Sequence, residues 1–275
     1  YLSDIRGRQR IGIALSKGGA MMHAREIDLT KPSTWEFSGF SQNGEDGIID
    51  VLRGQLLKYN RYFIEIGSAN GIENNTSWLT VAEKYSGIMI EGNPRKVEHA
   101  RRMLLRYSIG LECRNMFITK ANIEELSSIS FYQDPDIFSL DIDGNDFYIA
   151  KAVLDGGFRP KIFVVEYNSV YGPDRSLTVE YKDNFIFTAA HPTQLYYGVS
   201  IAGWRKFFES RNYRFVTVDQ NGVNAFFVDC DSFDADFINN INGLEFAENR
   251  YQLTKFRKPS EEQFSLIEDQ NFIPI

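Results

Sequence analysis

The chain has 275 residues, 43% hydrophobic and 14% aromatic, enough for one large α/β domain with its own core. No apolar run approaches the roughly 20 residues of a membrane span, and a formal net charge of −7 argues against a general affinity for nucleic acid. Two cysteines, Cys113 and Cys230, supply neither a disulfide framework nor zinc spacing, so a reducing compartment is expected, the cytoplasm by default.

Residues 1–39 are locally basic and have neither a leading Met nor the apolar core of a signal peptide. They are read as the cut edge of a longer chain and as a solvated arm. From residue 40 to 230, apolar and β-branched runs alternate with helical stretches: RYFIEIG, SGIMIEG, FITKAN, DIFSLDID, KIFVVEYN, YRFVTVDQ and VNAFFVD. The alternation predicts a Rossmann-like, mostly parallel sheet with helices on both faces. Helices are expected over 45–59, 75–85, 94–107, 146–154 and 199–211. Asn93-Pro94 marks a capped start, and Asn122 with Glu125 reads similarly. Asn221-Gly222 between the last two runs signals a hairpin, so the sheet should end antiparallel. Residues 231–275 look irregular, apart from a capping box at Ser260-Glu-Glu-Gln263, and are read as an extension that wraps the domain or builds an interface.

In such a sheet, ligands bind beyond the carboxyl ends of the central strands. Strand one ends in Glu65, Gly67, Ser68, Asn70 and Gly71, whose glycines let backbone approach a ligand while the next helix terminus favours a carboxylate. Strand two ends in Glu91, followed by Asn93, and a carboxylate there can accept both hydroxyls of a ribose. Ala121 and Asn122 at the end of FITKAN suit an adenine edge, and strand four ends in Asp141 and Asp143. Together these predict an adenosine-like ligand.

The order E-x-G-x-x-x-G, acid after strand two, then LDIDG resembles the FkbM-type branch of class I S-adenosylmethionine-dependent methyltransferases. SQNGED at 41–46, VEYN at 165–168 and YYGVS at 196–200 are similar to that branch as well. The seven-stranded sheet with an inserted antiparallel strand is that fold. The resemblance spans roughly residues 40–229 and implies S-adenosylmethionine as methyl donor, Gln42, Ser68 and Asn70 near its amino-acid end, and a sugar, glycan or related hydroxylated metabolite as acceptor.

Methyl transfer to a hydroxyl needs alignment and removal of a proton. Asp141 and Asp143 are two apart, as are Glu166 and Asn168 on the neighbouring strand, and residues two apart share a side of a strand. Oxygen ligands of this kind suit Mg²⁺, Mn²⁺ or Ca²⁺, so Asp143, Glu166 and Asn168, with Asp141, are expected to hold a divalent cation. His191 is the other candidate base. In the loop from 169 to 197, Tyr171, Tyr181, Phe185, Tyr196 and Tyr197 are expected either to stack on a sugar or to anchor a lid, and Arg175 or Lys182 to pair with an acidic group. Two further readings stay open: a nucleotide-sugar glycosyltransferase using Asp141-x-Asp143, and a non-catalytic methyltransferase-like module of a larger or oligomeric assembly. A nicotinamide dehydrogenase is disfavoured, because G-x-x-x-G stands where G-x-G-x-x-G is needed.

Overall fold

The computed structural model describes residues 2–275, with side chains from Ile5 onward. Among these, nine strands form two sheets: β1 (Tyr62–Ile66), β2 (Ser86–Glu91), β3 (Leu111–Asn115), β4 (Ile137–Leu140), β5 (Ile162–Glu166), β6 (Leu177–Val179), β7 (Tyr213–Val218), β8 (Asn224–Asp229) and β9 (Phe272–Pro274). The main sheet runs β3-β2-β1-β4-β5-β8-β7, and β6 pairs with β9 in a small antiparallel sheet. Strands β1 to β5 are parallel, and β8 is inserted antiparallel between β5 and β7. The mixed α/β architecture and its antiparallel insert are those expected from the sequence.

Strands β1, β4, β5 and β8 are buried along their whole length because helices cover both faces. One face packs Phe63, Met89, Val164 and Phe226 against α1 (Leu2–Ala24), α2 (Glu45–Gly54), α3 (Ser77–Val81) and α4 (Pro94–Leu104). The other packs Ile64, Phe138, Phe163 and Phe227 against α5 (Leu126–Ile129), α6 (Asp146–Asp155) and, beyond the short α7 (Phe187–Ala190), α8 (Ile201–Glu209). Ser200 caps α8 by accepting from Gly203 N, and the stripe Ile201, Trp204 and Phe208 is buried, with the Phe208 ring stacked 4.4 Å from Phe227. The tail adds α9 (Ala235–Asn239), α10 (Arg250–Phe256) and α11 (Ser260–Phe264).

Four local expectations change. The amino-terminal arm is a helix whose spaced residues Gly7, Ile11, Ala14 and Gly18 face Met103 and Trp78. A Cβ on Gly18 would stand 2.5 Å from the Trp78 ring, so small residues let the helices approach. Strand three is LECRN rather than FITKAN. It is an edge strand whose exposed end carries Arg114 and Asn115, so its polarity hid it from a search for apolar runs, while 116–122 folds over the strand tips as a loop. The turn between β7 and β8 spans five residues rather than two, because the Asp219 carboxylate gathers the backbone N–H groups of Asn221, Val223 and Asn224. The helices expected over 45–59 and 75–85 are shorter than that, the second because 67–76 is an irregular loop.

Candidate active site

The loop after β1 is held by its own residues. Gly67 N and Ser68 N donate to Ile90 O at 2.9 and 3.1 Å, and Gly67 takes φ +89°. A Cβ there would lie 1.6 Å from Asp141 O, so this glycine serves the close approach of the β1 and β4 tips. Gly71, at φ +73°, packs on Ala100 and Leu104 of α4 instead. Glu65 is buried, and both its oxygens are occupied, by Asn74 Nδ2 at 2.6 Å, Asn75 N at 2.9 Å and Thr76 Oγ1 at 2.6 Å. Burial nevertheless pushes its carboxyl up to about 7. Glu65 therefore shapes the loop from below. Asp46 of the SQNGED motif does the same upstream, accepting from the backbone N–H of Gly39, Phe40 and Ser41.

Above these tips lies a cleft of about 710 Å³ lined by Gly67, Ala69, Glu91, Asn93, Lys96, Met116, Phe117, Ile118, Asp141, Ile142, Asp143 and Phe185. Glu91 Oε1 accepts from Asn93 N at 2.7 Å, and Oε2 faces Lys96 Nζ at 4.0 Å. Met116, Phe117, Ile118 and Ile142 give the cleft its apolar side. A smaller cavity of about 140 Å³ shares Gly67, Ala69 and Asp141 with it and adds Gln42, Glu45, Glu65, Asn74 and Asn75. A third, of about 190 Å³, shares Asp143 and is lined by Glu166, Thr193, Gln194, Tyr197, Asn249, Gln252 and Lys255, among others.

The structure thus gathers Gln42, Glu65, Gly67, Glu91, Asn93, Asp141, Asp143 and Glu166 around three cavities that share lining residues. Ser68, Asn70, Gly71, Ala121, Asn122, Asn168 and His191 line none of them. Each of these has a local reason. Ser68 Oγ donates to Ile90 O, and Asn70 Oδ1 accepts from Ile72 N. Asn122 Oδ1 accepts from Thr119 N to close the loop that displaced strand three, and Ala121 is exposed beside it. Asn168 is fully buried, accepting from Val170 N and donating to Leu195 O and Tyr197 O, so its amide is spent on the fold rather than on a cation. His191 Nδ1 bonds Thr193 Oγ1 at 2.8 Å.

Asp141, Asp143 and Glu166 offer carboxylate oxygens that all lie within 4.8 Å of one another. Burial raises all three; Asp141 and Asp143 add to the rise at Glu166, Asp143 adds to it at Asp141 while Glu166 opposes it there, and Lys96 opposes the rise at Asp143. Glu166 Oε2 is buried with no hydrogen-bond partner among the described residues. Asp146 accepts from Ile142 N and Gly144 N, fixing the turn in which Asp143 takes φ +53°.

The 169–197 loop mainly anchors a cap. Tyr171 is buried against Phe264 and Phe272, Tyr196 donates to Asn271 O, and Tyr181 accepts from Lys120 N while Lys120 Nζ sits 4.0 Å over its ring. Arg175 is paired twice with Glu261, at 2.6 and 2.9 Å. Sequence reasoning missed Gln252 and Lys255, because nothing in the tail's composition links it to the strand tips. YYGVS did flag Tyr197, whose OH accepts from Gln252 Nε2 at 3.2 Å.

No family model matches the chain, and no curated protein does. Solved structures are similar to it. The O-methyltransferase from Bacillus cereus in complex with SAH shares 14% identity at TM-score 0.39, over 80% of this chain and 89% of that one. The O-methyltransferase TomG from Streptomyces achromogenes, involved in tomaymycin synthesis and solved with SAM, shares 17% at 0.43, over 77% and 94%. Cofactor-bound Rv0187 from MTB shares 16% at 0.45, over 80% and 89%. Strand order and the antiparallel insert give the chain a Rossmann-like methyltransferase fold. Likeness of this degree concerns the sheet alone, and no helix among the described residues is long and apolar enough to cross a membrane.

Proposed function

We propose that the protein transfers a methyl group from S-adenosylmethionine to a hydroxyl of a sugar, glycan or related metabolite. The observation that carries this reading is one cleft with the Glu91 carboxylate and an apolar wall, which shares Asp143 with a second, small chamber. The donor fits the residues present: Glu91 keeps an oxygen for ribose hydroxyls, and Phe117 and Ile118 offer an apolar face to adenine. Gln42 and the acidic floor at Glu45 suit the amino-acid end with its ammonium. When bound, the sulfonium supplies an activated methyl. Asp143, standing where the two cavities meet, accepts the hydroxyl proton as the new C–O bond forms. Burial moves its pKa upward, toward the range in which a carboxylate is an effective base.

A hard divalent cation also fits, because three carboxylate oxygens converge and Glu166 Oε2 has no hydrogen-bond partner among the described residues. Asp141, Asp143 and Glu166 would hold it, and it would supply Lewis acidity toward the acceptor hydroxyl. Exhaustive chelation is expected to lower turnover at least tenfold, with recovery on adding Mg²⁺ or Mn²⁺. Undiminished turnover after chelation removes the cation and leaves Asp143 as base.

Glu91→Ala is expected to weaken donor binding by about 2–3 kcal/mol, or roughly 30- to 150-fold, since it removes hydrogen bonds to a charged group. Calorimetry with S-adenosylhomocysteine reads the change, and a shift under threefold contradicts the ribose assignment. Transfer of labelled methyl to a panel of sugars and hydroxy acids tests the reaction itself; labelled product with none of them, against hydrolysis of a UDP-sugar, would favour glycosyl transfer.

A further inference from the structure

The chamber of about 190 Å³ beside Glu166 has two unlike walls. The strand tips contribute Asp143 and Glu166, and helix α10 of the tail contributes Gln252, Lys255 and Phe256. The volume is below the roughly 300–1,000 Å³ of sites for drug-sized ligands, which limits an occupant to about one ring. Glu166 is only 9% exposed, and its Oε2 lacks a partner among the described residues, so this wall calls for a hydroxyl, which donates to the carboxylates directly or would bind the cation they would hold. The opposite wall calls for an anion. Lys255 has no carboxylate partner among the described residues; its Nζ stands 5.2 Å from the Phe256 ring, and Tyr251 beside it leaves a 72% exposed ring on which a sugar face can stack.

We infer that this chamber takes a monosaccharide-sized acceptor carrying a carboxylate, and that Lys255 selects it. The carboxylate pairs with the Lys255 ammonium on α10, while a hydroxyl across the ring points to Glu166 and Asp143. A neutral sugar satisfies one wall only. An amino sugar places its ammonium where Lys255 repels it. The tail that the sequence left without a role thereby sets acceptor specificity. The assignment rests on the methyl-transfer reading for the chemistry at Asp143, but not for what the chamber binds.

Calorimetry of the full chain with D-glucuronate, D-glucose and D-glucosamine tests it. Glucuronate is expected to bind at least tenfold more tightly than glucose, and glucosamine no more tightly than glucose. Lys255→Met should abolish the preference and Lys255→Arg should keep it, with melting temperature unchanged because the side chain is exposed. Equal affinities, a preference for glucosamine, no detectable glucuronate binding, or a preference that survives Lys255→Met overturns the proposal. A separate titration with S-adenosylhomocysteine keeps the two readings apart: no binding there defeats methyl transfer while a glucuronate preference stands.

Discussion

Asp143→Asn is expected to lower kcat by about 10²- to 10⁴-fold, the usual worth of a positioned proton acceptor, while donor affinity changes less than threefold. The substitution preserves shape, and Asn tolerates the left-handed backbone that Asp143 occupies at φ +53°. It removes the ability to accept a proton and takes away a charge that pushes up its neighbours Asp141 and Glu166. The variant should therefore melt no lower than the parent, which separates lost chemistry from lost fold. Pre-steady-state transfer with saturating donor measures the step. A rate within threefold of the parent would assign proton removal elsewhere.

Gly67→Ala should destabilise the fold by about 3–5 kcal/mol, combining overpacking with left-handed strain at φ +89°. The obstruction is the Asp141 carbonyl oxygen, 1.6 Å from the new Cβ, and that backbone is pinned because Asp141 N donates to Ile66 O at 3.0 Å. Gly157→Ala is the control, since it has a similar φ of +91° but open space around it, and should lose only about 1 kcal/mol. Thermal unfolding reads both. A Gly67→Ala midpoint within 2–3 °C of the parent, less than about 1 kcal/mol for a chain this long, would contradict the close approach.

The tips that build the cleft were legible because their signals are local. At Ile64 to Gly67 an apolar run carries an acid and ends on a glycine at positive φ, and at Leu140 to Asp143 one carries two acids, the second itself at positive φ; each set is adjacent in sequence. The identity of an acid's partner was less legible. Glu65 and Glu91 both close an apolar strand, yet Glu65 is consumed by Asn74, Asn75 and Thr76, while Glu91 keeps an oxygen toward the cleft. Asn168 is a similar case, since a capping amide and a ligating amide have the same sequence. The edge strand β3 was hidden by its own charges, and the α10 wall by distance, with more than 80 residues separating Glu166 from Gln252 in the chain.

The central claim is that the cleft between Glu91 and Asp143 holds the methyl donor. Isothermal titration of the unmodified chain with S-adenosylhomocysteine tests it most directly, with UDP-glucose and NAD titrated in parallel. The account predicts one site per chain with Kd in the micromolar range, about −7 to −8 kcal/mol, and no saturable heat from the other two. Saturable binding of UDP-glucose or NAD, with none of S-adenosylhomocysteine, would contradict it.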